Sequence, residues 1–165
     1  MFKKIAVAAS LVAVVLDASI ALAADDARST VNIVADIPNK QFHVKPRNPD
    51  FGKNEVMNYN PVSGELSGLR ATFDVKNTEG SVHAFIEGGP TAAALYNGSE
   101  TIALTNTFNG VVLTATPQEV VDDPQSTPGT QADLVVTPAK PLDTQNGLFT
   151  AAYTLMFYSE PRSAP

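Results

Sequence analysis

The sequence predicts an all-β domain, a sandwich of immunoglobulin-like type, and three observations carry that prediction. Short segments rich in β-branched and aromatic residues recur between clusters of Gly, Pro, Asn and Asp. After the first 23 residues no stretch keeps a helical apolar period beyond two turns, residues 92–96 coming nearest. An Asn109-Gly110 pair lies between two apolar segments, and this is the pair that a tight hairpin prefers. Seven or so short strands with turns between them describe such a sandwich.

Strands are expected at residues 30–37, 68–76, 82–87, 101–107, 111–115, 133–137 and 148–158, with a weaker one at 56–59. In the second of these, Leu69, Ala71, Phe73 and Val75 alternate with Arg70, Thr72 and Asp74, the pattern of a sheet with one wet face. The Pro- and polar-rich run 117–129 reads as the longest loop. The last strand puts Phe149, Ala151, Tyr153, Leu155 and Phe157 on one face. The tail from Ser159 to Pro165 includes Pro161 and Pro165 and is unsuited to another strand. A long apolar strand thus has little sequence after it to cover it.

The first strand shows the complementary feature. Val31, Ile33, Ala35 and Ile37 alternate with Asn32, Val34 and Asp36, which gives it one face made for burial. It can pair within its own domain or be donated to a neighbouring chain. Burying Val31, Ile33 and Ile37 contributes about 1.5–3 kcal/mol each in either arrangement, so periodicity leaves both open.

The N-terminus reads as a secretory signal peptide. Lys3 and Lys4 precede an apolar run at 5–16, and Ala21-Leu22-Ala23 offers small residues for cleavage before Ala24. Asp17 interrupts the apolar run, which falls short of the ~20 residues a bilayer requires. Cleavage removes Lys3, Lys4 and Asp17 and leaves 142 residues, with 9 basic and 16 acidic side chains and a net charge of −7. That is one domain by size, and its charge disfavours nucleic acid as a partner. The chain has no cysteine, which excludes thiol catalysis and thiolate metal sites and leaves stability to a core or to association with other chains.

Residues that carry chemistry are scattered. His43 and His83 lie forty positions apart without metal-ligand spacing, and His83 falls on the expected solvent face of its strand. Asp122-Asp123-Pro124 lacks the oxygen-rich pattern of a calcium loop. No helix follows Gly88-Gly89-Pro90 to cradle a phosphate, and no Gly-x-Ser-x-Gly elbow occurs. No catalytic site, metal or cofactor is expected, and the chain does not read as an enzyme.

The chain resembles the major subunits of fimbriae of the coli surface antigen and colonisation factor antigen type, the alternate chaperone–usher class. The resemblance runs from 30–37 through Tyr59-Asn60-Pro61 with Leu66, then Phe73-Asp74-Val75-Lys76-Asn77-Thr78 and 82–87. It continues through Leu95, the block 102–113 and Glu119 to Leu134-Val135-Val136 and 147–157. Order and spacing carry it more than any single piece, and residues 40–54, with Pro46 and Pro49, depart from the pattern. The resemblance implies a signal peptide at 1–23, a donor strand segment at 24–38 and a pilin domain at 39–165. That domain would be an incomplete immunoglobulin-like sandwich, completed by the N-terminal strand of another subunit. Val31, Ile33, Ala35 and Ile37 would be the donor side chains, and Phe149, Tyr153, Leu155 and Phe157 would line the acceptor groove. The implied partners are identical subunits, a periplasmic chaperone, an outer-membrane usher and a tip adhesin, and the implied destination is a surface fimbria. A stand-alone secreted sandwich that binds carbohydrate or protein is the alternative.

Overall fold

A computed structural model describes residues 41–162. The predicted strand at 30–37, with Val31, Ile33, Ala35 and Ile37, therefore lies outside the described residues, as does the signal segment. In chain order the elements are β1 (Phe42–Pro46), β2 (Tyr59–Asn60), β3 (Glu65–Leu66), β4 (Leu69–Asn77), β5 (Gly80–Ile86) and β6 (Ala94–Tyr96). They continue with β7 (Thr101–Phe108), β8 (Val111–Val112), β9 (Gln118–Val121), α1 (Asp123–Ser126), β10 (Thr130–Pro138) and β11 (Leu155–Pro161).

The strands form an antiparallel immunoglobulin-like sandwich. The larger sheet runs β1-β4-β10-β7-β6, with β8 added to β7, and the smaller runs β11-β5-β9. The separate pair β2-β3 makes a small hairpin. Alternation builds the core: Ala71, Phe73 and Val75 of β4, Ala132, Leu134 and Val136 of β10, and Ile102, Leu104 and Phe108 of β7 all turn inward. Val82, Ala84 and Ile86 of β5 face them from the other sheet. Phe157 of β11 closes the gap between the layers, its ring 4.9 Å from that of Phe108 and 6.0 Å from that of Phe73. The contact with Phe108 is edge-on and that with Phe73 tilted, and aromatic pairs of this kind add to the burial of area itself.

The Asn109-Gly110 turn is the hairpin the sequence predicts. Both residues have positive φ, 50° and 82°, as the primed turn that joins twisted strands requires, and Thr107 and Phe108 pair with Val112 and Val111.

Four expectations need correction. Residues 92–96, the nearest approach to a helix, include strand β6, because Ala94, Leu95 and Tyr96 pair with Ala103, Ile102 and Thr101 of β7. Residues 117–129 are no loop: they hold β9 and α1. Residues 40–54 contain β1, paired with β4 from Phe42↔Asn77 to Pro46↔Phe73.

The fourth concerns 148–158, which is not one strand. Thr150 bridges to Tyr96 of the larger sheet, whereas Leu155 pairs with Ile86 of the smaller one. The chain changes sheets between these points, and the strand proper begins at Leu155 and runs on through Pro161. Pro161 is tolerated because the alternation places its missing N–H on the side facing away from β5. Arg162 N donates to Glu79 O, and Thr154 O accepts from Glu87 N, so even-numbered residues bond to β5 and odd-numbered ones face outward. Proline fits an edge strand in that orientation.

Three other described edges, those of β1, β6 and β9, are each interrupted at one point. On β1, Arg47 N bonds to Thr72 O, so the missing N–H of the preceding Pro46 faces outward. On β6, Thr150 exchanges both main-chain bonds with Tyr96. On β9, the Asn109 side-chain amide donates to Val120 O at 2.7 Å.

The start of β5 approaches the end of β11 closely at Gly80. A Cβ there would run into Glu160 O and lie 2.7 Å from Arg162 N, so only glycine permits this approach. Gly80→Ala is expected to lower stability by about 1–3 kcal/mol, the usual cost of forcing atoms into packed structure. The fall should appear in the urea midpoint of the purified subunit.

Candidate functional site

The most distinctive surface of the domain is the outer edge of β11. Among the described strands β11 pairs with β5 alone, so Leu155, Phe157 and Ser159 turn their main-chain groups away from it. Their side chains turn inward: Leu155 and Phe157 are half-buried and pack on the core. Met156 lies on the opposite, outer face and is exposed. A strand edge with its apolar row facing the interior is a template for another strand.

The sequence-predicted groove residues divide accordingly. Tyr153, Leu155 and Phe157 come together against the core. Phe149 is half-buried but lies before the change of sheet, outside the group packed on the core. Tyr153 is fixed by its hydroxyl, which donates to Asn106 Oδ1 at 2.7 Å. Asn106 sits on the inward face of β7 with 1% exposure, and its amide donates to Leu104 O. Burial pushes the Tyr153 phenol above its ordinary pKa, against the opposing effect of the Asn106 hydrogen bond.

The far end of β11 is clamped. Asp122 caps α1 by accepting from Gln125 N at 3.0 Å, and the buried Ser126 hydroxyl donates to Gly80 O at 2.6 Å. Arg162 then grips Asp123 through Nε at 2.9 Å and a second guanidinium nitrogen at 2.8 Å, and Thr127 also donates to Asp123. The hydrogen bonds from Arg162 and Thr127 hold the half-buried Asp123 carboxyl below its ordinary value. The acidic pair that gave no calcium pattern is thus a helix cap and a strand anchor.

Three residues of this region escape sequence reasoning. Asn106 carries a visible signal, a polar side chain on the inward parity of Ile102, Leu104 and Phe108. Asp122 with Pro124 is a helix-start signal in a run otherwise read as loop. Ser159 continues the inward parity of Leu155 and Phe157, and its Oγ is buried without any hydrogen-bond partner. His83 lies on the outer face as expected, its ring 5.5 Å from that of Tyr158 and its Nε2 3.2 Å from Ser81 Oγ.

Comparison with known proteins agrees with this geometry. The profile of the family described as CS1 type fimbrial major subunit matches residues 27–158. The chain therefore belongs to that family, whose members are structural, not enzymatic, subunits of surface fimbriae. Among solved structures, the CooA pilin subunit from enterotoxigenic Escherichia coli is similar, with a TM-score of 0.54 at 13% identity. The alignment covers 74% of this chain and 90% of that one, a likeness of fold. No individually curated protein matches.

Two outcomes follow. Tyr153→Phe should strand the buried Asn106 oxygen and cost about 1–3 kcal/mol, read as a lower denaturant midpoint. Asp123 has a depressed folded pKa, so its contribution is present above the ordinary carboxylate value of 3.8 and is lost as pH falls through the folded value. Wild type should therefore exceed Arg162→Met in stability at neutral pH, and the difference should vanish in acid. A pH series of urea midpoints checks this.

Proposed function

We propose that the subunit polymerises by donor-strand exchange, with the edge of β11 as the acceptor. The supporting observation is that edge: outward main chain at Leu155, Phe157 and Ser159, over side chains that reach the core but stay half-buried. A strand added there gains main-chain hydrogen bonds and covers Tyr153, Leu155 and Phe157, with Phe149 at the margin of the groove. Its natural occupant is the segment 24–38 of another subunit, with Val31, Ile33, Ala35 and Ile37 turned inward. Cleavage after Ala23 frees that segment. Donor and acceptor are different surfaces, so the contact is head-to-tail and gives an open filament. On this reading a periplasmic chaperone fills the groove first, an outer-membrane usher catalyses the exchange, and a tip adhesin begins the fibre.

Ile33→Asp tests the assignment. A carboxylate carried into the groove should abolish fibres while export and capture by the chaperone persist, because export uses the signal peptide and capture uses the acceptor groove. Fibre yield on a denaturing gel without heating, together with the periplasmic level of the subunit, gives the readout. Normal fibres in the variant would sink the donor assignment, and so would a wild-type subunit that stays monomeric without a chaperone.

A further inference from the structure

The alternation of Val31, Ile33, Ala35 and Ile37 decides which face of the segment turns inward, but it does not decide register. A slip of one residue inverts the faces and is excluded. A slip of two keeps apolar residues inward, so something else must select among the even registers. Ser159 is suited to do so. It follows Leu155 and Phe157 on the inward row of β11, opposite Val82, which is fully buried. Its Oγ is buried and has no hydrogen-bond partner. Buried hydroxyls are almost always paired, and an orphan calls for an explanation.

We infer that Ser159 is the register pin of the acceptor edge, and that its missing partner is Ser29 of the donated segment. The inference rests on the donor-strand reading above. Ser29 stands two positions before Val31, on the same parity as the four apolar residues. With the segment antiparallel to β11, Ser29 opposite Ser159 sets Val31 against Phe157, Ile33 against Leu155 and Ala35 against Tyr153. Polar meets polar and apolar meets apolar along the whole row. A slip of two residues one way puts Val31 against the hydroxyl, and the other way puts Ala27 there; neither side chain offers it a partner. The parallel orientation would bring Asn39 to Ser159. Only Lys40 then separates the contact from Gln41, whose carbonyl is already bonded to Thr78 N within its own domain. The antiparallel orientation leaves Pro38 to Lys40 as a spacer. Beyond Ser159, Pro161 has no outward N–H to offer, so pairing stops beside the pin.

The absence of native cysteine makes the test direct. In fibres assembled from the full-length chain with its own chaperone and usher, Ser29→Cys with Ser159→Cys should give a covalent ladder on oxidation. Val31→Cys with Ser159→Cys, Ala27→Cys with Ser159→Cys, and Asn39→Cys with Ser159→Cys should not. Equal or stronger cross-linking in any of those three overturns the inference while the fibres themselves uphold the donor-strand reading. A second measurement avoids new bonds. Ser29→Ala and Ser159→Ala should each shorten the lifetime of the polymer in denaturant about tenfold, the equivalent of one hydrogen bond. The double variant should be no worse than either single one. Additive effects, or no effect, would remove Ser159 as the pin. Failure of the donor-strand reading looks different: Ile33→Asp would assemble normally.

Discussion

The antiparallel pairing of β11 with β5 is the contact on which the rest of this domain depends. It brings Phe157 into the aromatic group with Phe73 and Phe108 that joins the two sheets. It also determines which main-chain groups of the last strand point inward to β5 and which outward. The pairing is possible at its far end because Gly80 lets Glu160 and Arg162 approach, and it is held there by Ser126, Asp123 and Arg162. One register thus sets both the closure of the core and the chemistry of the edge.

That double role explains why polar side chains appear where an apolar core would be simpler. Asn106 and Tyr153 satisfy each other inside the sandwich, and together they hold the chain just before β11 begins. Removing either partner leaves a buried group without its bond, which costs more than the bond itself contributes. Ser159 is the exception, a buried hydroxyl left unsatisfied within the domain. Exceptions to local rules tend to mark functional positions.

Much of the fold was legible in the sequence because alternation is a strong signal wherever one face is wet. β4, β7 and β10 follow it closely, and the Asn109-Gly110 turn carries its own backbone requirement. What escaped has physical reasons. β9 is short and bulged, with adjacent Val120 and Val121 both buried, so it shows no period. β6 begins at the end of the alanine run 92–94 and is made a strand by its partner β7 against local helical preference. The split between Thr150 and Leu155 cannot be read from a face pattern, since the apolar parity continues unbroken while the partner sheet changes. Of the residues proposed for the groove, Tyr153, Leu155 and Phe157 were legible as one inward row. Ser159 was hidden because a serine near a proline-rich end reads as tail.

The interruptions of the other described edges bear on the shape of anything built from this sandwich. β1 withholds a donor at Pro46, β6 is occupied by Thr150, and β9 has a carbonyl tied up by Asn109. Among the described edges, that of β11 carries the outward groups of Leu155, Phe157 and Ser159, and its run ends at a proline. If that edge takes the one donated segment proposed above, each subunit has a valence of two. Such particles form unbranched threads, and they cannot cross-link into a gel or spread as a sheet however many are crowded together.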